Sequence, residues 1–173
     1  GVVNMKKQWE KLEAWLRINH PSLLGDLNPP ASDADILELE QRLGMALPTD
    51  YIACLKIHNG QKGRDGWLFN NREFLSTQQT LMSWSAWNDL LDEGDLDYKV
   101  SRPDASIQSG WWRKAWVPFA TDGCGNYLCL DLSPSASGQY GQVINVFHDV
   151  QDRTREATSF TAWFENLVGN KQD

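Results

Sequence analysis

The sequence predicts an α+β fold in which helices flank a twisted antiparallel β-sheet. Amphipathic helical patterns dominate the first 93 residues, whereas residues 114–158 consist mainly of β-like runs separated by turn-forming residues. One further helical pattern closes the chain. Helices followed by consecutive hairpins are typical of an antiparallel sheet covered by helices. The length of 173 residues fits one domain, residues 1–173, and Gly1 is compatible with a cleaved-tag remnant before a native start near Met5.

The first helix is predicted over residues 5–20. Met5, Trp9, Leu12 and Leu16 recur at helical spacing, with Lys and Glu residues on the opposite face. The stretch SLLGDLNPPAS is interpreted as a connection, because its two adjacent prolines cannot continue a helix.

Two shorter helices are predicted next. Ser32 is placed to cap the second helix, which carries Ile and Leu residues at helical spacing and ends at Gly44. The third helix is predicted within LPTDYIACLKIHNG, residues 47–60. Pro48 suits its first turn, and the Asn-Gly pair supplies a left-handed stop.

The middle of the chain is predicted to contain a short strand, a long helix and a loop. WLFN, residues 67–70, is the strand candidate. Residues 77–93 are predicted to be helical because Leu81 and Trp84 begin an apolar face that continues at helical spacing. Residues 94–110 carry turn formers without a clear period, so they are predicted to form an excursion loop.

The second half is predicted to form consecutive strands and a final helix. The three central runs are KAWVPFATD, NYLCLDL and GQVINVFHD, and TREAT is interpreted as a short edge strand. The last helix is predicted in SFTAWFENLVG, with Ser159 as its cap. Its buried face is expected to comprise Phe160, Trp163, Phe164 and Leu167.

The strand NYLCLDL has two chemically different faces. Side chains alternate across a strand, so the leucines share the core face, whereas Asp131 lies beside Cys129 on the opposite face, either exposed or covered by a loop. A lone strand aspartate is more often a turn-anchoring acceptor than a catalytic acid, and no second carboxylate partner is visible. Asp131 and His148 are therefore a candidate ligand rim without a catalytic role.

The stretch DGCGN is interpreted as a hairpin turn. Glycine supplies positive φ angles, and the side chains of Asp122 and Asn126 can bond the local backbone. We therefore expect a positive φ at Gly123 or Gly125. The alternative is a cation loop that adds Asp131 as an oxygen ligand, but its spacing matches neither the EF-hand nor a phosphate-binding glycine loop.

No metal, cofactor or catalytic residue is predicted. Structural zinc sites draw ligands from close pairs, and His58, Cys124, Cys129 and His148 lack that spacing. The pair His148–Asp149 is not accompanied by a G-x-S-x-G nucleophile elbow. Three cysteines give no disulfide framework and fit a reducing compartment. A non-enzymatic cytoplasmic protein is therefore expected.

The overall charge restricts the expected partners. The chain has 16 Lys and Arg residues against 23 Asp and Glu residues, a formal net charge of −7 at pH 7. An acidic protein repels phosphate backbones, so nucleic-acid binding is not expected, whereas a basic partner is attracted. No membrane association is expected, because no apolar run approaches the roughly 20 residues that cross a bilayer and no secretory signal pattern is present.

An acidic excursion over residues 89–110 is the first candidate partner surface. Its carboxylates include Asp92, Glu93, Asp95 and Asp97. Negative charge at a helix C-terminus opposes the helix dipole, and this cost favours a functional explanation.

Two adjacent tryptophans form the second candidate. Trp111 and Trp112 do not readily share one core face if the segment is extended, so an exposed tryptophan is expected to serve as an apolar anchor for a partner. The alternative is that both pack in a loop on the sheet.

Four blocks, in this order, resemble the SUKH superfamily: LPTDYIACLKIHNGQ, WVPFATDGCGNYLCLDLSP, GQVINVFHD and SFTAWFENL. They are most similar to the branch of cell-wall-assembly-regulator, or killer-toxin-resistance, domains, and the matched region runs from about Ile36 to Leu167. The residues that carry the resemblance are Leu47, Pro48, Tyr51, Asn59, Gly60, Trp116, Pro118, Asp122, Gly125, Asn126, Leu130, Asp131, Pro134, Gly141, Gln142, Val143, Ser159, Phe160 and Trp163.

The resemblance implies a helix-flanked antiparallel sheet with no established catalytic residues. It implies that bacterial members are immunity proteins, each neutralising a cognate secreted toxin that is often a nuclease, and that yeast members are regulatory interaction proteins in cell-wall synthesis. The acidic stretch around residues 89–110 departs from the shorter link that the family leads us to expect.

The resulting prediction is a bacterial immunity-type protein that binds a basic toxin domain without chemistry. The alternative is a regulatory or ligand-binding domain in cell-wall or envelope homeostasis. The oligomeric state stays open.

Overall fold

The computed structural model describes residues 4–172, which form six helices and six strands. The helices are α1 (Met5–Asn19), α2 (Pro21–Gly25), α3 (Asp33–Leu43), α4 (Thr49–Leu55), α5 (Thr77–Asp92) and α6 (Phe160–Gln172). The strands are β1 (Glu73–Phe74), β2 (Arg102–Pro103), β3 (Trp116–Thr121), β4 (Tyr127–Asp131), β5 (Gln142–Val146) and β6 (Asp152–Ala157).

One mostly antiparallel sheet has the strand order β1-β3-β4-β5-β6-β2. The pairs from β3 to β6 are hairpin neighbours and antiparallel, and β2 alone runs parallel to its neighbour β6. The predicted α+β class with an antiparallel sheet is therefore confirmed. The predicted edge strand TREAT, residues 154–158, forms most of β6. The two-residue strand β2 lies outside β6 in the strand order but pairs only with Asp152 and Arg153, before TREAT begins.

Local sequence signals account for most helix boundaries. The four predicted apolar residues of α1 are all buried. The side chain of Ser32 accepts a hydrogen bond from the backbone of Asp35, which bonds back in a capping box, and Gly44 ends α3 with a φ of 72°. At α6, the hydroxyl of Ser159 accepts a hydrogen bond from the backbone of Ala162 at 3.0 Å.

Two predictions in the first half were wrong. The connection after α1 contains the five-residue helix α2, which begins at Pro21, because proline is tolerated in a first helical turn. Residues 67–70 do not form a strand; Leu68 and Phe69 are buried there in irregular backbone, and the strand β1 begins at Glu73.

The main core lies between one face of the sheet and helices α1, α4 and α6. Leu128 and Leu130 of β4 point into it, as the alternation of the strand predicted. Asp50 of α4 ties two helices together, because its carboxylate accepts hydrogen bonds from the backbone N–H and hydroxyl of Thr161 at 2.9 and 2.8 Å.

A second, smaller core covers the opposite face of the sheet. Helix α5 packs against β3, and the segment 93–112 continues across this face. Leu96 and Ile107 of the segment are buried against Cys129 and Ile144 of the sheet. The predicted excursion loop, residues 94–110, is therefore part of a covering segment, residues 93–112, that lies over this face of the sheet and joins its edge through β2.

Candidate functional site

The buried base of the candidate surface is a cluster of three tryptophans. Trp112 stacks on Trp87 with ring centroids 5.0 Å apart and an interplanar angle of 11°, and its ring meets Trp116 edge-on at 5.8 Å. The indole N–H of Trp112 donates a hydrogen bond of 2.8 Å to Oδ1 of Asn88, which is itself buried. Stacked and edge-on aromatic pairs of this kind stabilise a core beyond the area they bury.

The expected exposure of one of the adjacent tryptophans was wrong. Trp111 is 7% exposed and Trp112 is 2% exposed. The segment is not an extended strand there, so the two side chains enter different parts of the same cover instead of opposite faces of one element. Neither ring is available as a surface anchor.

A buried arginine fixes the segment to the sheet. Arg153 of β6 donates hydrogen bonds from Nε and Nη2 to the carbonyl oxygen of Trp111 at 3.2 and 2.7 Å, and its guanidinium carbon lies 4.7 Å from the centroid of the Trp111 ring. Its Nη1 donates to the carbonyls of Val150 and Asp152. Burial lowers the pKa of Arg153 to about 10, so the side chain keeps its charge at neutral pH.

The four predicted acidic residues lie on the outside of this cover. Asp92, Glu93, Asp95 and Asp97 are all exposed, and Leu96 between them points into the second core. The carboxylate of Asp92 also forms an ion pair with a surface lysine at 2.8 Å. The role of these carboxylates in partner binding stays a prediction.

Exposed apolar side chains border the four carboxylates. Tyr98 is 77% exposed and Val100 is 69% exposed, and Leu90 on the last turns of α5 is 40% exposed. Helix α5 has no basic residue in its last turn, and the carboxylates that follow it place negative charge at the negative end of the helix dipole. We call the four carboxylates together with Leu90, Tyr98 and Val100 the acidic face. The sequence prediction missed its apolar members, because Tyr98 and Val100 stand in a stretch without periodicity.

The predicted ligand rim is not formed. Asp131 pairs with Gln142 at one end of the β4–β5 ladder, whereas His148 follows Val146, which pairs with Tyr127 at the other end. Four strand steps separate the two ends, or about 13 Å. Asp131 and His148 therefore do not share a site.

Asp131 is a buried structural acceptor. Its carboxylate accepts hydrogen bonds from the backbone of Ser133 at 3.0 Å and from Nε2 of Gln142 at 2.9 Å, and the same Nε2 also donates to the carbonyl of Ser106 in the covering segment. Burial raises the pKa of Asp131 against the opposing effect of these hydrogen bonds. The turn-anchoring interpretation fits these contacts.

The predicted hairpin turn between β3 and β4 is confirmed. Gly123 and Gly125 have φ angles of 79° and 87°. The carboxylate of Asp122 accepts hydrogen bonds from the backbone of Cys124 at 2.8 Å and from the side chain of Asn126 at 2.9 Å. Burial alone would raise the pKa of Asp122, but these bonds outweigh it and hold the pKa below its usual range.

The candidate metal ligands and nucleophiles do not converge on one site, although the turn that carries Cys124 lies against His148, whose backbone N–H donates to Oδ1 of Asn126 at 3.1 Å. Cys129 is buried and Cys124 exposed, and burial raises the pKa of the Cys129 thiol. The ring nitrogens of His58 contact the carbonyl of Asn28 at 2.8 Å and the carboxylate of Glu13 at 2.5 Å. Within residues 4–172, no group of three or more His, Cys, Asp or Glu side chains is arranged to hold a metal ion.

A second acidic anchor holds the loop after α4. Asp26, which is 1% exposed, accepts hydrogen bonds from Nε2 of Gln61 at 2.9 Å and from the backbones of Gly63 and Arg64 at 2.8 and 3.0 Å. Burial alone would raise the pKa of Asp26, but the hydrogen bonds outweigh it and lower the pKa.

None of the helices described between residues 4 and 172 is both long and apolar enough to cross a membrane.

Comparison with known families identifies the fold's lineage. The SMI1 / KNR4 family (SUKH-1) matches residues 30–166, which include the whole sheet and helices α3 to α5. The chain belongs to this family. The resemblance deduced from the four sequence blocks is therefore confirmed at the level of the family.

Three relatives of this SMI1/KNR4 chain are fungal regulators. The glucan synthesis regulatory protein of Neurospora crassa is 27% identical over 172 residues, which cover 79% of this chain. The cell wall assembly regulator of Saccharomyces cerevisiae is 24% identical over an alignment of 210 positions, which includes 100% of this chain. The cell wall biosynthesis and cell cycle regulator of Schizosaccharomyces pombe is 27% identical over 154 residues and 81% of this chain.

The match covers a minor part of each relative. The chain spans 32%, 41% and 31% of the lengths of these three proteins. Their names describe cell wall assembly and glucan synthesis, and none of the three names mentions toxin neutralisation. The comparisons thus support the alternative hypothesis, a cell-wall regulator, better than the immunity protein.

Proposed function

We propose that this chain is a non-catalytic interaction domain of a regulator of cell-wall synthesis, and that its acidic face binds a basic protein partner. The family and the names of its fungal relatives support the regulatory role. The observation that carries the binding surface is the combination of four exposed carboxylates with exposed Tyr98 and Val100 on a base that is packed into the fold.

The chemistry of this face suits a protein partner. Protein interfaces commonly combine an apolar or aromatic anchor with a polar rim that steers the encounter. Tyr98 and Val100 supply the anchor, and the four carboxylates nearby in the segment contribute to the net charge of −7. The ammonium of Lys99 lies 5.2 Å from the Tyr98 ring, so the carboxylates outnumber one cation on this face. A partner with Lys or Arg residues around an apolar patch complements both features.

The proposal of no catalysis rests on how the reactive groups are placed. Cys54 and Cys129 are buried thiols whose pKa values are raised by burial, so they are poor nucleophiles. His58 is held between Glu13 and the carbonyl of Asn28, and His148 is exposed at the far end of the sheet from Asp131. No nucleophile–base pair is formed among these groups.

The second candidate is the immunity protein predicted from the sequence. The same acidic face favours it, because a basic toxin domain presents the complementary charge. A toxin bound by this face would be neutralised without chemistry in the domain.

A charge-neutralising variant tests the surface. Asp92→Asn, Glu93→Gln, Asp95→Asn and Asp97→Asn are combined in one chain, and the matched control combines Glu10→Gln, Glu38→Gln, Asp149→Asn and Glu165→Gln, which are also exposed. Both variants change the net charge equally. We expect partners captured by the wild-type chain to be basic and to be lost with the acidic-face variant only.

Binding kinetics then separate steering from general charge. With an isolated partner at low salt, the acidic-face variant should associate about tenfold more slowly or worse, and the difference should shrink as salt rises. Equal loss in the control variant would show that net charge alone accounts for binding. A captured basic toxin, together with rescue of cells that express it, would favour the immunity protein over the regulator.

A further inference from the structure

A polar groove lies beside α6, which packs on the sheet face opposite the tryptophan cluster. Its volume is about 530 Å³, within the range of roughly 300–1,000 Å³ typical of ligand sites. We call it the α6 groove. The side chains used below are Arg72, Glu156, Thr158, Trp163, Asn166 and Asn170, all of which line it.

Three of these residues form a stripe along the helix. The helix carries Asn166 three positions and Asn170 seven positions after Trp163, so the three side chains lie on the same side of α6. Asn166 and Asn170 are exposed, and their amides have no protein hydrogen-bond partner among residues 4–172. Each amide offers both donors and an acceptor.

Trp163 is a rigid aromatic wall for the groove. Its ring meets Phe69 edge-on at 4.8 Å with an interplanar angle of 84°, and Phe119 at 5.1 Å with an angle of 77°. The side chain remains half-buried, so part of the ring stays accessible from the groove. The position of this ring is thus set by the core and needs no ligand to order it.

A buried amide beside the groove has an unmet hydrogen bond. Asn145 of β5 is 8% exposed and donates from Nδ2 to Oε1 of Glu156 at 2.7 Å and to the hydroxyl of Thr154 at 3.0 Å. Its Oδ1 is buried without a partner among the described residues. Asn145 does not itself line the groove, but its amide holds the carboxylate of Glu156, which does. Buried polar atoms are almost always paired, so the unpaired Oδ1 indicates a place for an ordered water.

The charges of the lining cancel. Arg72 and Glu156 contribute one charge of each sign, and the remaining polar groups are amides and a hydroxyl. The lining residues alone therefore favour neither an anion nor a cation, and a further cation beside them, Lys171, donates from Nζ to Oδ1 of the groove-lining Asn70 at 3.1 Å. The lining suits a neutral ligand that carries many groups able both to donate and to accept hydrogen bonds.

We propose that the α6 groove binds a short neutral saccharide. A sugar ring presents a C–H face that packs on the aromatic surface of Trp163, and its hydroxyls can pair with Asn166, Asn170 and Glu156. This site lies away from the acidic face and does not depend on the protein partner proposed above.

The test is a titration of the whole chain with a linear, neutral gluco-oligosaccharide, followed by nitrogen–proton NMR. The indole N–H of Trp163, assigned with Trp163→Phe, and the side-chain amides of Asn166 and Asn170 should shift in a saturable manner. The double variant Asn166→Ala, Asn170→Ala should weaken binding roughly tenfold, because two hydrogen bonds are lost. Both residues are exposed, so the fold should be retained.

Two control variants and a second probe decide the outcome. Gln41→Ala on α3 and Glu165→Gln on α6 are exposed and do not line the groove, so both should bind as the wild type does, whereas Glu156→Gln should bind more weakly. The proposal is wrong if the oligosaccharide produces no saturable shift at Trp163, Asn166 and Asn170. It is equally wrong if a basic peptide shifts these signals and the oligosaccharide does not, because the groove would then belong to a protein interface.

Discussion

Replacing Trp112 with phenylalanine tests whether the covering segment is part of the folded core. Phenylalanine keeps an aromatic ring against Trp87 but removes the indole N–H that donates to Asn88 at 2.8 Å. Asn88 is 8% exposed, so its oxygen would be left unpaired in the interior. That loss costs about 1–3 kcal/mol, and the smaller ring adds about 1 kcal/mol for the gap it leaves.

The expected total is a loss of about 2–4 kcal/mol in the free energy of unfolding. For a domain of this length, 1 kcal/mol corresponds to about 2–4 °C in melting temperature, so a fall of at least about 4 °C is expected. Urea unfolding followed by far-ultraviolet circular dichroism measures the loss without depending on tryptophan emission.

Trp15→Phe on α1 is the matched control. Trp15 is only half-buried and packs under Lys171 at 4.5 Å, so its replacement should cost less than about 1 kcal/mol. Equal stability of the two variants would contradict the packing argument. Normal stability of Trp112→Phe combined with weaker partner binding would restore Trp112 as a partner contact.

The remaining predictions concern pH and a turn. Asp26→Asn should destabilise the protein at neutral pH but progressively less in acid. The lowered pKa of Asp26 gives stability that is present above the carboxyl's unfolded pKa and is lost as the pH falls through the folded pKa. Urea midpoints of the wild-type and variant chains between pH 7 and pH 3 measure this loss. Gly125→Ala should cost about 1–2 kcal/mol, because the residue has a φ of 87° and a Cβ would lie 2.9 Å from Cδ2 of His148. Gly169→Ala inside α6 meets no atom within 4 Å and should be neutral or stabilising in the same melting experiment.

Elements with strong local signals were predictable from sequence. The capping box at Ser32 and the left-handed stop at Gly44 bound α3 through contacts within a few residues. The turn around Gly123 and Gly125 likewise depends on backbone geometry that its own sequence encodes. For these elements the sequence carries most of the structural information locally.

The covering segment was not predictable in the same way. Leu96 and Ile107 are isolated apolar residues, so they produce no helical or strand period, yet each fills a position over the second face of the sheet. The prediction for Trp111 and Trp112 assumed a single core face, whereas the segment bends between the sheet, α5 and Arg153. Burial there is decided by tertiary contacts.

The α6 groove was missed for a related reason. Its lining comes from the segment before β1, the end of β6 and α6, which are far apart in the chain. Trp163 was predicted as a core residue, and its contacts with Phe69 and Phe119 are core contacts. No sequence pattern distinguishes a tryptophan that is enclosed from one that also forms a wall of a groove.

The acidic face lies on an ordered segment of the fold, which lowers the entropic cost of binding a partner there. A flexible acidic loop would lose conformational entropy when a partner ordered it, and this cost would weaken association. Here Leu96 is buried, and the buried guanidinium of Arg153 holds the segment by two hydrogen bonds to the carbonyl of Trp111. The carboxylates are therefore displayed on backbone that the fold has already ordered. If the acidic face binds a partner as proposed, a change on its outer surface would alter partner binding while the sheet beneath keeps its packing.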